Sequence, residues 1–518
     1  MSAPHDEGGE KRADVRTSNI LAARGVLGLV RTSLGPRGLD KLVVTPKGAS
    51  LVTNDGATIM RQLEARHPAA RMLIELSQAQ DVEAGDGTTS VVVLAGALLT
   101  NCLELFKLGL HPTVVSEAYQ QACDEALKVV MDIARPVSLE DVEELQRICC
   151  TTLSSKMISA YSGTLAPLIV EAVLRVREGH DVDLRRIHVT KKVGAPVSES
   201  LLHHGLAFSR RPLEGSTYIK GVKVGLIRFC LSPPKTDMES NLVVSDDAAI
   251  TRLLEQERRL TLKLCKRIEK TGCNLLLVQK SIMREAVSEL ARHFLRKLKI
   301  AVIDDIERDE VEFISAASGA TPVASIDEFT RDALGEMDEL RVVDGITYVA
   351  ALPDKETGTR TLVCRGANQL LLEEAARSIH DGLCAVRCLV RKSFIVPGGA
   401  AVEVEVARRL YERSAQQPGA AQYAMRAFAD ALELVPLTLA ENAGLPPIET
   451  LTELRRRHAA GCVTDGLDVV GGVGGGVCVR EMFEAGVIQP ALVPLSALAL
   501  ATETARMLLK IDDIVLGR

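Results

Sequence analysis

The residues best placed to do chemistry are Glu83-Ala84-Gly85-Asp86-Gly87-Thr88-Thr89-Ser90, immediately before an apolar segment of helical texture. Glycines let the backbone approach an anion, free N–H groups at a helix start point at phosphate oxygens, and hydroxyls add donors. Asp86 then stands where a magnesium ion bridging phosphates needs a hard oxygen ligand. The same spacing also describes an ordinary turn whose Asp or Thr caps the helix. Asp55, at the tip of Asn54-Asp55-Gly56, is held on a tight turn and either points at a ligand or simply makes the turn. Asp381 lies on a helix that is apolar on one side (Leu371, Leu372, Ala375, Ile379), where a solvated carboxylate is the default.

Other signatures are missing. There is no GxxxxGK[ST], so the P-loop is excluded. The cluster Gly471 to Gly476 follows Leu467-Asp468-Val469-Val470 without leading to GK[ST], and reads as a flexible hairpin. His380, the His203-His204 pair and the other histidines show no HExxH or other ligand spacing, so no metal role is assigned to them.

These residues need elements to hold them. Ser18 to Ser33 has amphipathic helical spacing, broken by Leu34-Gly35-Pro36-Arg37-Gly38. Leu42 to Val44 and Ser50 to Thr53 flank Pro46-Lys47-Gly48 as a hairpin that ends in the Asp55 turn. Thr58 to Gln80 is helical, Ser90 to Leu108 is a buried helix, and Pro112 to Ala134 and Leu139 to Cys150 are further helices, the last opened by Ser138. From about Ile187 the texture changes to short β runs (Ile187 to Val193, Val222 to Cys230, Asn274 to Val278, Ile300 to Ile303) between helices. Ala248 to Lys270 is too charged for a core and projects into solvent or covers a domain face. Helical texture returns over Asn368 to Lys392, Ala401 to Ala415 and Ala421 to Leu434. The pattern predicts a mixed α and β, multi-domain chain with a nested plan: a helical domain built from both termini, an inserted α/β domain, and two connecting segments that form a joining domain.

The chain has 518 residues, with 62 basic against 68 acidic side chains for a net charge of −6, and is 47% hydrophobic. That length suggests about three domains, and the apolar content supports a sizeable core. A pI near 6.0, 3% aromatics and no Trp disfavour nucleic acid as a partner. The longest uninterrupted apolar runs, such as Val91 to Leu99, fall short of the roughly 18 residues a membrane span needs. The N-terminus is polar and acidic with no secretory pattern, so the expected compartment is cytoplasmic. The twelve cysteines include no CxxC and read as reduced core thiols.

Four motifs, in the right order across essentially the whole chain, resemble the group II chaperonins. They are Thr32-Ser33-Leu34-Gly35-Pro36-Arg37-Gly38-Leu39-Asp40-Lys41, Thr53-Asn54-Asp55-Gly56-Ala57-Thr58-Ile59, Gly85-Asp86-Gly87-Thr88-Thr89 and Val396-Pro397-Gly398-Gly399. Phe229 to Met238, Asp305 to Arg308 with Glu312-Phe313-Ile314, Leu439 to Leu445, and the ending Ala501 to Thr504 with Lys510 to Asp513 resemble one subunit type of the eukaryotic cytosolic chaperonin, TRiC or CCT.

The resemblance implies the group II chaperonin fold: a helical equatorial domain (1–140 and 396–518), a small intermediate hinge domain (141–205 and 355–395) and an α/β apical substrate-binding domain (206–354). A helical lid protrusion would span about 235–275. It further implies an ATPase using ATP/ADP and Mg2+. Asp86 would bind the metal, and Gly35, Pro36, Gly87, Thr88, Thr89 and Ser90 would contact the nucleotide. Asp55 and Asp381 would orient and activate the attacking water. Ser155 and Lys156 would approach the γ-phosphate, and Gly399 would lie against the nucleotide. Glu481 falls where relatives place an acidic ribose ligand, and Gln489 where several sister subunits carry Glu. Ala400 replaces a customary third glycine and Gly194-Ala195 a customary Gly-Gly, which would stiffen both hinges or perturb nucleotide fit.

Phosphoryl transfer needs charge neutralisation and an in-line water, which a metal ligand, a phosphate cradle and carboxylates from separate segments supply. The helix near Glu307 to Ser318 would face substrate through Arg308, Asp309, Glu312 and Ser315, although Phe313 suits a buried helix equally. Paralogous subunits in a double ring, and nonnative clients such as actin and tubulin, are the implied partners, with no nucleic acid and no membrane. A homo-oligomeric archaeal-type chaperonin shares the nucleotide motifs, and a scaffold without hydrolysis is disfavoured by the presence of Asp55, Asp86 and Asp381.

Overall fold

The computed structural model describes residues 7–44, 50–156, 158–213, 216–232, 247–282, 284–353, 358–469 and 478–514. The Gly471 to Gly476 cluster, and the part of the protrusion between 235 and 246, lie outside these residues. The chain divides into two compact units, Met1–Val170 with Glu373–Arg518, and Glu171–Leu372. The expected joining segments are shared between them, 141–170 and 373–395 in the first and 171–205 and 355–372 in the second.

The first unit is built around helix Thr88–Lys107, which is apolar on all sides. A helix of that composition must be surrounded. Helices Glu7–Val30, Pro68–Glu83, Ala421–Leu432 and Leu492–Lys510 pack against it, and Val91, Val92 and Val93 are completely buried. Helices Thr88–Lys107 and Leu492–Lys510 are long and apolar enough to cross a membrane by composition, but most of each is buried inside this core. Tyr119, on helix Pro112–Ile133, meets Phe428 edge-on at 5.5 Å and donates its hydroxyl to Leu98 O at 3.2 Å, so its polar end is satisfied within the core.

The hairpin pairs Lys41–Val44 with Ser50–Thr53 in register Lys41↔Thr53. The helical run after it is two helices, Gly56–Gln62 and Pro68–Glu83, because Leu63 turns extended ahead of the Pro68 start. Helix Val142–Ser154 opens at Asp141, whose Oδ1 accepts from Glu144 N–H, whereas Ser138 caps only the preceding turn at Glu140. Strand Phe394–Pro397 lies between Arg135–Pro136 and Ile488–Pro490, all antiparallel.

The second unit carries a six-stranded sheet in the order Gly205–Phe208, Ile346–Ala350, Gly335–Val343, Tyr218–Ile227, Leu275–Gln279, Ala301–Ile306; the last three strands run parallel. Along the middle strand of these three, Leu275 and Leu277 join one core, which includes Phe313 of helix Glu310–Ser318, while Leu276 and Val278 join the other. Both faces are therefore covered, as parallel strands require. A second sheet pairs Arg360–Gly366 with Ile187–Val193 and Leu201–His203.

Helix Asp247–Lys270 buries only Thr261, Cys265 and Ile268, and its first half, with Ile250, Leu253 and Leu254, is exposed. Phe313 is buried and stacks on His188 at 5.3 Å, so it serves the core. All twelve cysteines are free and eight are buried, in line with core thiols.

Candidate functional site

Two helix starts face one cleft in the first unit. Helix Thr88–Lys107 begins after Gly87, which is left-handed at φ 74°, ψ 17°, a conformation glycine adopts without a Cβ penalty. Helix Gly56–Gln62 begins beside it, and a Cβ on Gly56 would come within 2.4 Å of Thr89 Oγ1 and 2.9 Å of Thr89 N. The two N-termini thus abut without side chains between them. The N–H groups at the start of helix Thr88–Lys107, which has no side-chain cap, and the hydroxyls of Thr88, Thr89 and Ser90 form an anion cradle.

Asp55 is the N-cap of the second helix, and its Oδ2 accepts from Thr58 N–H at 3.1 Å and Thr58 Oγ1–H at 2.6 Å. The residue's other oxygen, Oδ1, lies 3.9 Å from Lys156 Nζ. Lys156 follows helix Val142–Ser154, and Asn54 ties the two segments together by donating Nδ2 to Ser155 O at 2.9 Å. Asp381, on helix Gln369–Arg391, closes the group with Oδ2 2.7 Å from Lys156 Nζ. A Cβ on Gly85 would collide with Cys384 at 2.1 Å, so that helix presses directly on the Gly85-Asp86-Gly87 turn. Side chains of Lys156, Asp55 and Asp381 are 11%, 14% and 12% exposed, which makes their mutual charges strong.

One lysine cannot satisfy three carboxylates. Lys156 is held protonated because, although burial pulls its pKa down, Asp381, Asp55 and Asp86 together push it up further. Burial likewise pushes Asp55 up, but Lys156 and the Thr58 bonds outweigh it and leave it below the ordinary value. Asp381 is raised to about 7 by burial, which Lys156 only partly offsets, so the surplus negative charge falls there. Asp86 is raised too, chiefly by burial, while accepting from Gly87 N–H at 2.7 Å. Three acids and one lysine leave a net charge of −2 when ionised; among the described residues no cluster of three or more His, Cys, Asp or Glu could hold a metal ion by itself, so a hard cation here would need ligand oxygens beside Asp86.

Gly35, Asp55, Asp86, Gly87, Thr88, Thr89, Ser90, Ser155, Lys156, Gly399 and Gln489 all line the cleft. Asp381 reaches it through Lys156. Pro36 and Glu481 do not line it, and Glu481 instead accepts from Thr464 Oγ1–H at 3.4 Å. Ala400 does, in the left-handed conformation at φ 60°. The cleft also takes in Ser33, Asn54, Thr151, Thr152, Glu403 and Leu439, which spacing did not single out as site residues. For Glu403 a signal existed in the alternation Val402-Glu403-Val404-Glu405, which sets acids among core residues.

A helical unit closed from both chain ends, an inserted α/β unit and this cleft of cradle, carboxylates and lysine together match one known architecture. The chain belongs to the TCP-1/cpn60 chaperonin family, whose model matches residues 26–518. It is 50% identical over 514 residues to T-complex protein 1 subunit delta of Rattus norvegicus, covering 98% of this chain and 94% of the relative. The Homo sapiens delta subunit is 50% identical over 518 residues, with the same coverage. That of Schizosaccharomyces pombe is 48% identical over 518 residues, 98% of this chain and 97% of the relative. Delta is the subunit type that the Phe229 to Met238 and Leu439 to Leu445 segments resemble.

Proposed function

We propose that the chain is an ATP-hydrolysing subunit of a double-ring, hetero-oligomeric cytoplasmic chaperonin. Its partners would be paralogous subunits and its clients nonnative proteins such as actin and tubulin. The observation that carries this reading is the convergence of Asp55, Asp86 and Asp381 around Lys156 beside the uncapped start of helix Thr88–Lys107. Residues 1–140 and 396–518 would form the equatorial domain, 141–205 and 355–395 the hinge, and 206–354 the apical domain with its protrusion. Neither nucleic acid nor a membrane enters this function.

The donor set fits a Mg2+·nucleotide. Asp86 would hold the cation, which when bound supplies charge neutralisation at the phosphates. Gly35, Gly87, Thr88, Thr89 and Ser90 bind phosphate and nucleoside, and Gly399 and Gln489 flank the nucleoside side, with Pro36 and Glu481 outside the cleft lining. Ser155 and Lys156 approach the terminal phosphate, and Lys156 brings positive charge to it. Asp55, fixed by Thr58, and Asp381, able to take a proton near neutral pH, orient the attacking water and accept its proton. Hydrolysis would in turn drive closure of the protrusion over the client.

Asp381→Ala in the assembled complex is expected to leave assembly and nucleotide binding intact while abolishing this subunit's share of hydrolysis and of lid closure. The share is read after subtracting turnover by sister subunits. Hydrolysis at the wild-type rate in a fully incorporated mutant would overturn the assignment.

A further inference from the structure

Helix Ala401–Ser414 carries two glutamates with opposite surroundings, Glu405 fully buried and Glu403 partly buried with one carboxylate oxygen enclosed. Glu405 accepts from Arg408 Nη2 at 2.6 Å and Arg409 Nε at 2.8 Å, and faces His458 Nδ1 at 3.1 Å. Glu403 has none of this. Its Oε2 is buried without a hydrogen-bond partner among the described residues, and its own backbone amide is the one group that counteracts burial. Two residues on a helix are about 200° apart, so the pair points to opposite sides.

Glu403 faces a small chamber that adjoins the cleft. Asp86, Gly87, Ser90, Glu403 and Gln489 line both spaces, and Leu94, Val406 and Leu498 wall the far side. The chamber has about 100 Å³, room for roughly three waters at ~30 Å³ each. Among the described residues no Lys or Arg lines it, and Lys156 in the cleft is engaged by Asp381 and Asp55.

A carboxylate oxygen enclosed without a donor is costly, and beside a polyphosphate it is also repulsive. Both costs vanish if a cation and its water stand between them. We propose that Glu403 is a positioning residue for the cation held by Asp86, accepting hydrogen bonds from cation-bound water in the chamber and thereby making nucleotide binding depend on the metal. This rests on the nucleotide reading above. Outer partners of this kind set metal affinity by orienting what the metal carries, and losing one costs about 10- to 100-fold.

The test is calorimetric titration of ADP into the full chain at Mg2+ concentrations from chelator-treated to millimolar. In Glu403→Gln the half-saturating Mg2+ should rise about 10-fold, while metal-free ADP binds tighter than to wild type because the repelling charge is gone. Glu403→Asp keeps the charge in the chamber and should stay within about threefold of wild type. A Gln variant with an unchanged Mg2+ requirement, or Gln and Asp variants equally impaired, overturns the inference and leaves the nucleotide reading standing. A wild-type chain that binds no ADP at any Mg2+ concentration overturns both.

Discussion

Replacing Asp381 with Asn should make the nucleotide-free chain more stable at pH 8 and leave it nearly unchanged at pH 4. The folded protein holds the Asp381 proton to about pH 7 against the ordinary 3.8, because burial outweighs the attraction of Lys156. A proton affinity about a thousandfold higher in the folded state corresponds to roughly 4 kcal/mol of stability that depends on pH. Below 3.8 folded and unfolded chains both carry the proton, and the group contributes its full stability. Between 3.8 and 7 the unfolded chain releases the proton first, so stability falls as pH rises. Above 7 the whole ~4 kcal/mol is lost. Asn has no proton to lose, and it reduces the cluster from −2 to −1 while Lys156 keeps Asp55 at 3.9 Å. The loss of the 2.7 Å partner of Lys156 opposes this gain, so about half should survive, roughly 2 kcal/mol at pH 8. Thermal unfolding of wild type and variant across pH 4–8, followed by circular dichroism, reads the difference directly. A Tm difference that is flat with pH, or a variant less stable at pH 8 than at pH 4 relative to wild type, would refute the claim that burial dominates at Asp381.

Ala400→Gly should stabilise by about 0.5 kcal/mol, since a non-glycine residue in the left-handed region costs about 1 kcal/mol and glycine returns part of it to the unfolded chain. Ala401→Gly, one residue into the helix, should shift the urea midpoint in the opposite direction. Glu405 is the mirror case of Asp381: burial pushes it up, but His458, Arg408 and Arg409 hold it at about 2 against the ordinary 4.5. Its contribution is therefore complete above 4.5 and lost as pH falls toward 2. Glu405→Gln should cost about 3 kcal/mol at pH 7, with the gap to wild type closing during acid unfolding below pH 4.5.

Local order wrote much of this protein into its sequence. The all-apolar run after Gly87 could only be a surrounded helix, and the glycine and hydroxyl pattern ahead of it placed the cradle at that helix's start. The change to short β runs near Ile187 marked the inserted unit, because strand and helix patterns differ in period. The split between Gly56–Gln62 and Pro68–Glu83 was less legible, since the spacing ran on through an extended Leu63. From spacing alone Asp55 was an ordinary turn residue and Asp381 a solvated helix residue. Tertiary structure decided otherwise by bringing Lys156 between them, from a segment a hundred residues from one and over two hundred from the other. Phe313 was undecided for the same reason, and His188 stacked upon it placed it in the core. Sequence patterns fix periodicity, caps and turns, which depend on near neighbours. The protonation of Asp381 and the solitude of Glu403 depend on burial and on partners drawn from distant segments, and folding alone determines those.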